Sequence, residues 1–436
     1  MTNKLFIKTY GCQMNEYDSS KIAGILKDSH SFITTEIPQL ADLIVLNTCS
    51  IRQKATEKIY SELGRLKFLK ERRGNLIIAV GGCVSMEEGE NIFNRAPYVD
   101  IIFGPQSLHK LPKLYAQALG GEKKLVELTS ETALTKFEYL PPPSFSTPSA
   151  YISIMEGCNK FCSYCIVPYT RGAEVSRPII DIVEEIKPMK GLKEVHLLGQ
   201  NVNSYCDPVT NAGLAALLET IANFKEIARI RFTTSHPTEF NNSLIAAFGN
   251  IAKLANHLHL PMQSGSDRIL SLMRRGYSYG EYATIINKVR CLRPDISIST
   301  DFIVGFPGET REDFAATMAA AEKLNFDSSF SFIYSPRPGT EAAKFIDNIS
   351  LEEKKERLTL LQNQLAKQAR AYANAMVNTK QSVLVTQRAK KDPRQFSGRT
   401  SNNRVVNFSS SEDILGTMVE VEITEILPNS LKGKHI

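Results

Sequence analysis

Three cysteines near the middle of the chain have the spacing of a metal site. Residues 158–165 read Cys-Asn-Lys-Phe-Cys-Ser-Tyr-Cys, a C-x3-C-x2-C pattern that directly follows a predicted strand. Zinc sites usually combine paired C-x2-C units with a fourth ligand, and the sequence offers no such partner nearby. Iron–sulfur clusters prefer thiolates, and three thiolates on a four-iron cluster leave one iron open. The pattern therefore favours a catalytic iron–sulfur centre on Cys158, Cys162 and Cys165.

Three further cysteines each follow a short apolar run in the first third of the chain. The runs and the cysteines after them are residues 5–9 with Cys12, residues 43–46 with Cys49 and residues 76–80 with Cys83. Helical patterns between the runs predict a βαβαβ parallel sheet. In such sheets ligands bind at the carboxyl edge, and strands ~4.8 Å apart can bring three strand ends within roughly 10 Å. The alternative is three ordinary buried thiols, because a free cysteine packs like a small apolar residue.

Two smaller interpretations concern the first helix and the remaining cysteines. Asp18 and Ser19 are predicted to cap the N-terminus of the first helix, ahead of Ile22. Cys206 and Cys291 have no partner at a useful spacing and are predicted to be core thiols. The chain starts without the long apolar stretch of a secretory signal, which argues against disulfides.

Strand-like and helix-like patterns alternate across the middle of the chain. The predicted strands are residues 151–155, 194–198, 229–233, 257–260, 297–304 and 328–334. Six βα units suit a barrel-like or a doubly wound sheet. A stretch rich in Ser, Thr and Pro at residues 129–148, with three prolines at 141–143, predicts a linker and a boundary near residue 145. Residues 351–375 predict a long amphipathic packing helix.

The last sixty residues change to a strand-like period of two. Residues 382–386 and 418–423 alternate in this way, and polar turns separate them, which is typical of a small all-β barrel. This segment carries nine Lys and Arg against six Asp and Glu, so its net charge of +3 is half of the whole chain's net charge of +6. A surplus of this size is weak support for a nucleic-acid partner by itself.

Length and composition exclude several classes of protein. The 436 residues are 42% hydrophobic and 22% charged, which excludes collagen-like, low-complexity and disordered chains. The length suggests about three domains. No apolar run approaches the ~18–20 residues that a membrane span requires. We therefore expect a cytoplasmic protein without membrane attachment.

The cysteine patterns and their surroundings resemble a known family. Cys158, Cys162 and Cys165, with Tyr164 before the last cysteine, resemble the signature of the radical S-adenosylmethionine (SAM) superfamily. The earlier three cysteines resemble the second cluster site of the methylthiotransferases. Four sequence segments support the resemblance: residues 11–19 (GCQMNEYDS), 157–172, 199–205 (GQNVNSY) and 398–404 (GRTSNNR). Together they resemble the MiaB-type tRNA methylthiotransferases over nearly the whole chain, although Ser401 replaces an expected acidic residue.

The resemblance implies an α/β fold with three domains. Residues 1–145 would form an N-terminal βαβ parallel-sheet domain with the auxiliary cluster. Residues 146–374 would form a central partial (β/α)6 radical SAM barrel, and residues 375–436 a small all-β TRAM barrel that binds RNA.

The resemblance also implies cofactors and a reaction. Two 4Fe–4S clusters would be bound, one by Cys158, Cys162 and Cys165 and the other by Cys12, Cys49 and Cys83. SAM would serve as radical source and as methyl donor, and the auxiliary cluster would hold the sulfur to be inserted at carbon 2 of an isopentenylated adenosine. No separate catalytic acid or base is assigned. The rim residues expected to contact SAM are Gly199, Gln200, Asn201, Ser235, Gln263 and Asp301, although a turn or helix cap explains each equally well.

The implied partner is the anticodon loop of tRNA. Basic residues interleaved with Phe396 and Phe408 are predicted to form an RNA-binding groove with aromatic platforms, the alternative being a solvated surface over a phenylalanine core. Arg171 and Arg177 are predicted either to meet phosphates or to form surface ion pairs. An electron donor such as a flavodoxin or ferredoxin, a sulfur carrier and a monomeric state complete the expected set.

Two alternatives remain open from the sequence. The first is a methylthiotransferase for threonylcarbamoyl-adenosine in tRNA or for a ribosomal-protein aspartate, because these enzymes would share the cysteine layout. The second is an iron–sulfur protein that binds RNA without radical chemistry, although such a protein has no evident need for a six-unit βα domain.

Overall fold

The structure is a computed structural model that describes residues 3–49, 53–129, 133–141, 147–389 and 392–436. The contacts between residues divide the chain into two compact units. The first unit comprises Met1–Phe145, Met155–Asn159 and Cys165–Arg177, and the second comprises Ser146–Ile154, Lys160–Tyr164 and Pro178–Ile436. Most of the predicted linker's proline run and the predicted boundary near residue 145 lie outside the described residues.

A six-stranded parallel sheet forms the centre of the first unit. The elements of this unit are β1 (Lys4–Thr9), α1 (Gln13–His30), β2 (Ile33–Thr34), β3 (Leu43–Thr48), α2 (Gln53–Arg72), β4 (Ile77–Gly82), α3 (Cys83–Glu88), α4 (Asn91–Arg95), β5 (Ile101–Phe103), α5 (Leu111–Leu119), β6 (Leu125–Glu127) and α6 (Ala133–Glu138). The strand order of the sheet is β2-β1-β3-β4-β5-β6, which confirms the predicted βαβαβ pattern and extends it at both edges.

The apolar run of β3 shows why this sheet is parallel and buried. Leu43 and Val45 point into one apolar core, and Ile44 and Leu46 point into another on the opposite face. A strand covered by helices on both faces needs apolar residues at every position, so its sequence is continuous rather than alternating. One expectation is wrong: neither Asp18 nor Ser19 caps the first helix, because α1 already begins at Gln13 and both residues are buried within it.

Parallel strands and helices alternate through the middle of the chain, as predicted. The elements are β7 (Ser149–Ser153), β8 (Met155–Glu156), α7 (Val167–Arg171), β9 (Val175–Ser176), α8 (Ile179–Ile186), β10 (Glu194–Leu198), α9 (Leu214–Ala222), β11 (Arg229–Phe232), α10 (Asn242–Asn250), β12 (His257–His259), α11 (Asp267–Leu272), α12 (Tyr279–Leu292), β13 (Ser297–Ser299), β14 (Asp301–Val304), α13 (Arg311–Leu324), β15 (Phe330–Ile333) and α14 (Leu351–Ala375). The second unit contains a three-stranded parallel sheet, β7–β10–β11, and two parallel strand pairs, β12–β13 and β14–β15. The antiparallel pair of β8 and β9 and the helix α7 between them belong to the first. Among the helices that the structure describes, none combines the length and the apolar character that a membrane span requires.

The C-terminal strands close into a small barrel, which confirms the predicted all-β segment. Its strands are β16 (Lys380–Arg388), β17 (Phe396–Thr400), β18 (Val405–Phe408), β19 (Met418–Leu427) and β20 (Ser430–His435). The closed order is β16-β17-β18-β20-β19, so each of these strands is paired on both sides. Closure removes the exposed edges that a small sheet would otherwise present.

Two buried arginines link this barrel by hydrogen bonds to the strands of the same unit. Arg229 donates to the carbonyl oxygens of Arg399 (3.0 Å) and Ser382 (3.0 Å). Arg231 donates to the carbonyl oxygen of Ser401 at 2.8 Å. Both arginines also donate to the Glu194 carboxylate, at 3.1 and 2.9 Å. Burial alone would raise the pKa of Glu194, but the hydrogen bond with His196 and the two arginine charges hold it well below its usual range.

Candidate cluster and cofactor sites

The first three cysteines follow neighbouring strands of the parallel sheet. Cys12 stands directly before α1, Cys49 follows β3, and Cys83 is the first residue of α3 after β4. The strands β1, β3 and β4 are adjacent, with Thr48 paired to Gly82. The topology therefore brings the three cysteines to one edge of the sheet, as the pattern predicts.

Glycines allow the strand ends at this edge to approach closely. Gly11 has φ +117°, and a Cβ there would lie 2.1 Å from Cβ of Cys49 and 2.9 Å from its Sγ. Gly82 has φ +91°, and a Cβ there would lie 2.3 Å from the carbonyl oxygen of Thr48. Asn15 bridges the strand ends by donating to the carbonyl oxygen of Thr48 at 2.9 Å, while its own Oδ1 accepts from the Cys12 thiol at 3.2 Å.

The surroundings of Cys12 favour its thiolate. A hydrogen bond with Cys49 lowers its pKa most, and burial opposes this effect. The charge of Arg171 and the backbone amides of Asn15 and Met14 lower the pKa further, to about 6. Because the thiolate is the form that binds metals, Cys12 has the chemistry of a cluster ligand.

A balanced network of buried charges lies in the same unit. Lys136 donates to Asp18 at 2.8 Å and to Glu156 at 2.6 Å. Arg171 donates to the same two carboxylates, at 3.1 and 3.0 Å. All four side chains are almost completely buried. Two cations and two carboxylates balance, which is what buried charges require.

The chain bends sharply where the central cysteine motif begins. Gly157 has φ +81°, and a Cβ there would lie 1.9 Å from the carbonyl oxygen of Ala173. The backbone N–H of Cys158 donates to the carbonyl oxygen of Gly172 at 3.1 Å. Cys158 and Cys165 are half-buried in the first unit, and neither forms a disulfide. The glycine is therefore required for the turn that presents Cys158.

The middle cysteine of the motif, Cys162, is buried in the second unit. The next residue, Ser163, fixes its position, because the backbone N–H donates to Met273 (3.1 Å) and the hydroxyl donates to Leu272 (2.8 Å). Arg275 Nη1 donates to Cys162 Sγ at 3.3 Å. Sequence reasoning missed Arg275, because it lies 113 residues from Cys162 and belongs to no motif.

All six rim residues follow the carboxyl end of a strand. Gly199, Gln200 and Asn201 follow β10, Ser235 follows β11, Gln263 follows β12, and Asp301 begins β14 just after β13. Two backbone hydrogen bonds link the segments that carry these rim residues. The N–H of Val202 donates to Thr234, linking the loops after β10 and β11 at 2.9 Å, and the N–H of Gln263 donates to Asp301 at 2.8 Å. The side chain of Asp301 lies 3.3 Å from His259 Nε2.

Two buried donors after β11 fit a polar cofactor. The hydroxyl of Ser235 and Nε2 of His236 are buried and have no hydrogen-bond partner among the described residues. His236 Nδ1 accepts from the backbone N–H of Thr238, which places the ring hydrogen on Nε2. Burial, with the charges of Arg275 and Lys160, lowers the pKa of His236 to about 2, so the ring is neutral. Such unpaired donors are costly without a ligand, and the hydroxyl, carboxylate and adenine groups of SAM provide acceptors for them.

Several expectations about individual residues are wrong. Arg171 and Arg177 are both buried, so neither meets phosphates or forms a surface ion pair. Phe396 and Phe408 are in the barrel core, each 1% exposed, so they cannot stack on bases, and the alternative of a phenylalanine core is confirmed. Cys206 and Cys291 are exposed rather than core thiols.

The basic residues of the terminal barrel are divided between structure and surface. Arg404 pairs with Asp327 and donates to the carbonyl oxygen of Ala369, so it supports packing. Arg394 and Lys434 remain exposed. Lys390 and Lys391 lie outside the described residues.

The spacing of the thiols differs from that of a single-ion site. Among the described residues, no three His, Cys, Asp or Glu side chains lie close enough together to hold one metal ion. The ligands of an iron–sulfur cluster stand further apart, because each thiolate binds a different iron atom.

Models of known families match three segments of the chain. Residues 4–104 match the uncharacterized protein family UPF0004. Residues 152–321 match the radical SAM superfamily, and residues 374–436 match the TRAM domain.

Solved structures with a similar fold include radical SAM enzymes. The methyltransferase TsrM from Kitasatospora setae has a TM-score of 0.60 over 79% of this chain and 74% of its own, with 13% identity. The cobalamin-dependent enzyme OxsB has a TM-score of 0.54 over 84% of this chain and 56% of its own, with 15% identity. At these identities the likeness concerns the fold alone.

Full-length relatives share about half of their residues with this chain. Proteins named tRNA-2-methylthio-N(6)-dimethylallyladenosine synthase are 52% identical in Actinobacillus succinogenes and 53% identical in Hahella chejuensis. These matches cover 100% of this chain and 93% and 99% of the two relatives. The chain therefore belongs to the MiaB-type family of radical SAM tRNA methylthiotransferases.

Proposed function

We propose that the chain adds a methylthio group to carbon 2 of dimethylallyladenosine beside the anticodon of tRNA. The full-length identity of 52–53% to relatives named for this product carries the proposal. The chain is an enzyme, and its cofactors are 4Fe–4S clusters and SAM. When bound, these cofactors supply a radical that abstracts hydrogen, the sulfur and the methyl group.

The six cysteines divide into two ligand sets in this proposal. Cys158, Cys162 and Cys165 hold the cluster that binds SAM, and the set of Cys12, Cys49 and Cys83 holds the auxiliary cluster. The lowered pKa of Cys12 and the glycine-permitted approach of Gly11 to Cys49 support the second assignment. The domains that we propose are residues 1–145, 146–374 and 375–436.

The chain's own residues bind and orient the reactants. Of the rim residues, Ser235 and its neighbour His236 offer buried donors to SAM, which supports a binding role for the loop after β11. The other contacts that we propose are Gly199, Gln200, Asn201, Gln263 and Asp301. No side chain is assigned as a general acid or base, because the bond to be broken is a carbon–hydrogen bond that a radical attacks.

The TRAM domain indicates RNA binding. We propose that it holds the anticodon stem or loop through exposed basic residues, among them Arg394 and Lys434. Phosphate contacts of this kind give affinity without reading bases. A flavodoxin or ferredoxin would deliver electrons, a sulfur carrier would refill the auxiliary cluster, and the protein would act as a cytoplasmic monomer.

Nucleoside mass spectrometry of total tRNA from a strain lacking this chain tests the function. We expect the 2-methylthio nucleoside to disappear and its isopentenylated precursor to accumulate. Expression of the intact chain should restore the nucleoside, and expression of the Cys158→Ala variant should not. An unchanged profile contradicts the proposal and directs attention to threonylcarbamoyl-adenosine or to ribosomal-protein masses.

A further inference from the structure

Arg275 is a buried cation without a carboxylate partner. It is 5% exposed, and no Asp or Glu of the described chain forms an ion pair with it. Other buried arginines in the same unit do have such partners: Arg229 and Arg231 pair with Glu194, and Arg357 pairs with Glu309. A buried guanidinium without a counter-charge is costly, so its presence calls for an anion.

The acceptors around Arg275 hold its guanidinium in one orientation. Nη2 donates to the carbonyl oxygen of Pro261 at 3.1 Å, and Nε donates to the Tyr277 hydroxyl at 3.2 Å. Tyr277 is itself fixed, because its hydroxyl donates to the carbonyl oxygen of Met262 at 2.6 Å. The remaining nitrogen, Nη1, thereby lies 3.3 Å from Cys162 Sγ and 3.5 Å from the Tyr164 hydroxyl, and it donates to both. The arginine is fixed in place rather than free to seek another partner.

The anion that fits is a thiolate-ligated iron–sulfur cluster. The charge of three thiolates outweighs that of the oxidised four-iron core and leaves a net negative charge. Reduction by one electron makes this charge more negative, so a fixed cation and an N–H donor to sulfur stabilise the reduced state more than the oxidised one. Net charge and hydrogen bonds to sulfur are the features by which proteins set cluster potentials.

We propose that Arg275 is a positioning residue that raises the reduction potential of the cluster held by Cys158, Cys162 and Cys165. The inference rests on the proposed function, because that function places a cluster on these cysteines. It adds that a residue outside the cysteine motif determines how readily the cluster accepts the electron. The step involved is a one-electron reduction by an external donor, and no bond at Arg275 forms or breaks.

The test measures a potential rather than activity. The full-length parent chain carries Cys12→Ala, Cys49→Ala and Cys83→Ala and therefore keeps one cluster. The paramagnetic resonance signal of that cluster is followed through a dithionite titration without SAM. We expect Arg275→Gln to shift the midpoint to a more negative value. At a fixed potential the ratio of reduced to oxidised cluster should fall about tenfold, the effect of losing one hydrogen bond to a charged group. Arg275→Lys keeps the charge and should recover most of the difference.

A matched control removes another well-bonded guanidinium from the same unit. Arg293 donates to the carbonyl oxygens of Ile251 and Leu254, and within the described chain it donates no hydrogen bond to a cysteine. We expect Arg293→Gln to leave the potential unchanged. Equal potentials for the Arg275→Gln chain and its parent overturn the inference, as does an equal shift in the Arg293→Gln control.

A second variant serves if Arg275→Gln does not fold, as judged by circular dichroism. Tyr277→Phe removes the hydroxyl that orients Nε but keeps the cation, so a smaller shift of the same sign is expected. An unshifted potential in that variant also overturns the inference. A parent chain that takes up no iron on Cys158, Cys162 and Cys165 contradicts the proposed function instead, so the two failures are distinguishable.

Discussion

The two cysteine sites differ in how the protein compensates the buried arginine beside them. In the first unit Arg171 lowers the pKa of Cys12, but two carboxylates and a lysine complete a neutral network around it. In the second unit Arg275 donates to Cys162, and no carboxylate of the described chain pairs with it. A buried cation that is paired with carboxylates mainly supports the fold. A buried cation without a carboxylate partner instead exerts its electrostatic effect on the group that it faces. The comparison therefore assigns structure to one arginine and electrostatic tuning to the other.

The largest effect expected from this comparison concerns the division of labour between the sites. Cys158→Ala should abolish SAM cleavage and methylthiolation together. Cys12→Ala should abolish methylthiolation but leave SAM cleavage intact, because different strand ends present the two cysteines. The measurement is 5′-deoxyadenosine formed by each purified and reconstituted variant. Loss of SAM cleavage in the Cys12→Ala variant would contradict the division.

The neutral network can be broken at one carboxylate. Asp18→Asn leaves Lys136 and Arg171 with a single buried counter-charge, which should cost roughly 3–5 kcal/mol of unfolding free energy. Urea denaturation followed by circular dichroism measures the loss. The matched control is Glu57→Gln, which removes an exposed ion pair with Arg95 and should cost less than about 1 kcal/mol. Similar losses in both variants would show that the network is not stabilising.

The close approach at the first site can be obstructed directly. Gly11→Ala introduces a Cβ against Cys49 at a backbone conformation that costs roughly 1–3 kcal/mol for other residues. We expect iron to be lost from the first site while 5′-deoxyadenosine is still produced. The control is Gly64→Ala, which lies in α2 with open space around it and should stabilise the protein by roughly 0.5–1 kcal/mol. Iron content that stays at the parent level would refute the steric account.

The smallest effect concerns the pH dependence near Arg275. The pKa of His236 is lowered to about 2, whereas an unfolded histidine titrates near about 6.5. Below that pH the unfolded chain binds a proton that the folded chain does not, so the unfolding free energy falls as the pH decreases. At about pH 5 the loss should approach about 2 kcal/mol, and His236→Asn should remove this contribution. Denaturation curves at neutral and acidic pH measure the change in unfolding free energy. If that free energy depends on pH equally in the variant and the parent chain, the His236 ring is not excluded from protonation.

Local patterns predict the strands and the cysteines that follow their ends, but not the charges around those cysteines. The apolar runs that precede Cys12, Cys49 and Cys83 are local signals, whereas the order of the strands in the sheet is known only from the structure. The ion pair of Asp18 is invisible to a local pattern, because its partner Lys136 lies 118 residues away. Phe396 alternates with polar neighbours, but the sequence does not say which face of a closed barrel is the core. Long-range ion pairs and barrel interiors depend on tertiary packing, which spacing does not encode.

The most direct test of the account is methylthiolation by the purified chain itself. The chain, with clusters reconstituted, is supplied with SAM, dithionite and tRNA that carries dimethylallyladenosine, and the nucleosides are analysed by mass spectrometry. We predict that the 2-methylthio nucleoside forms with the intact chain and is absent with either Cys12→Ala or Cys158→Ala. Formation of 5′-deoxyadenosine by the intact chain without any sulfur-containing nucleoside would contradict the central claim.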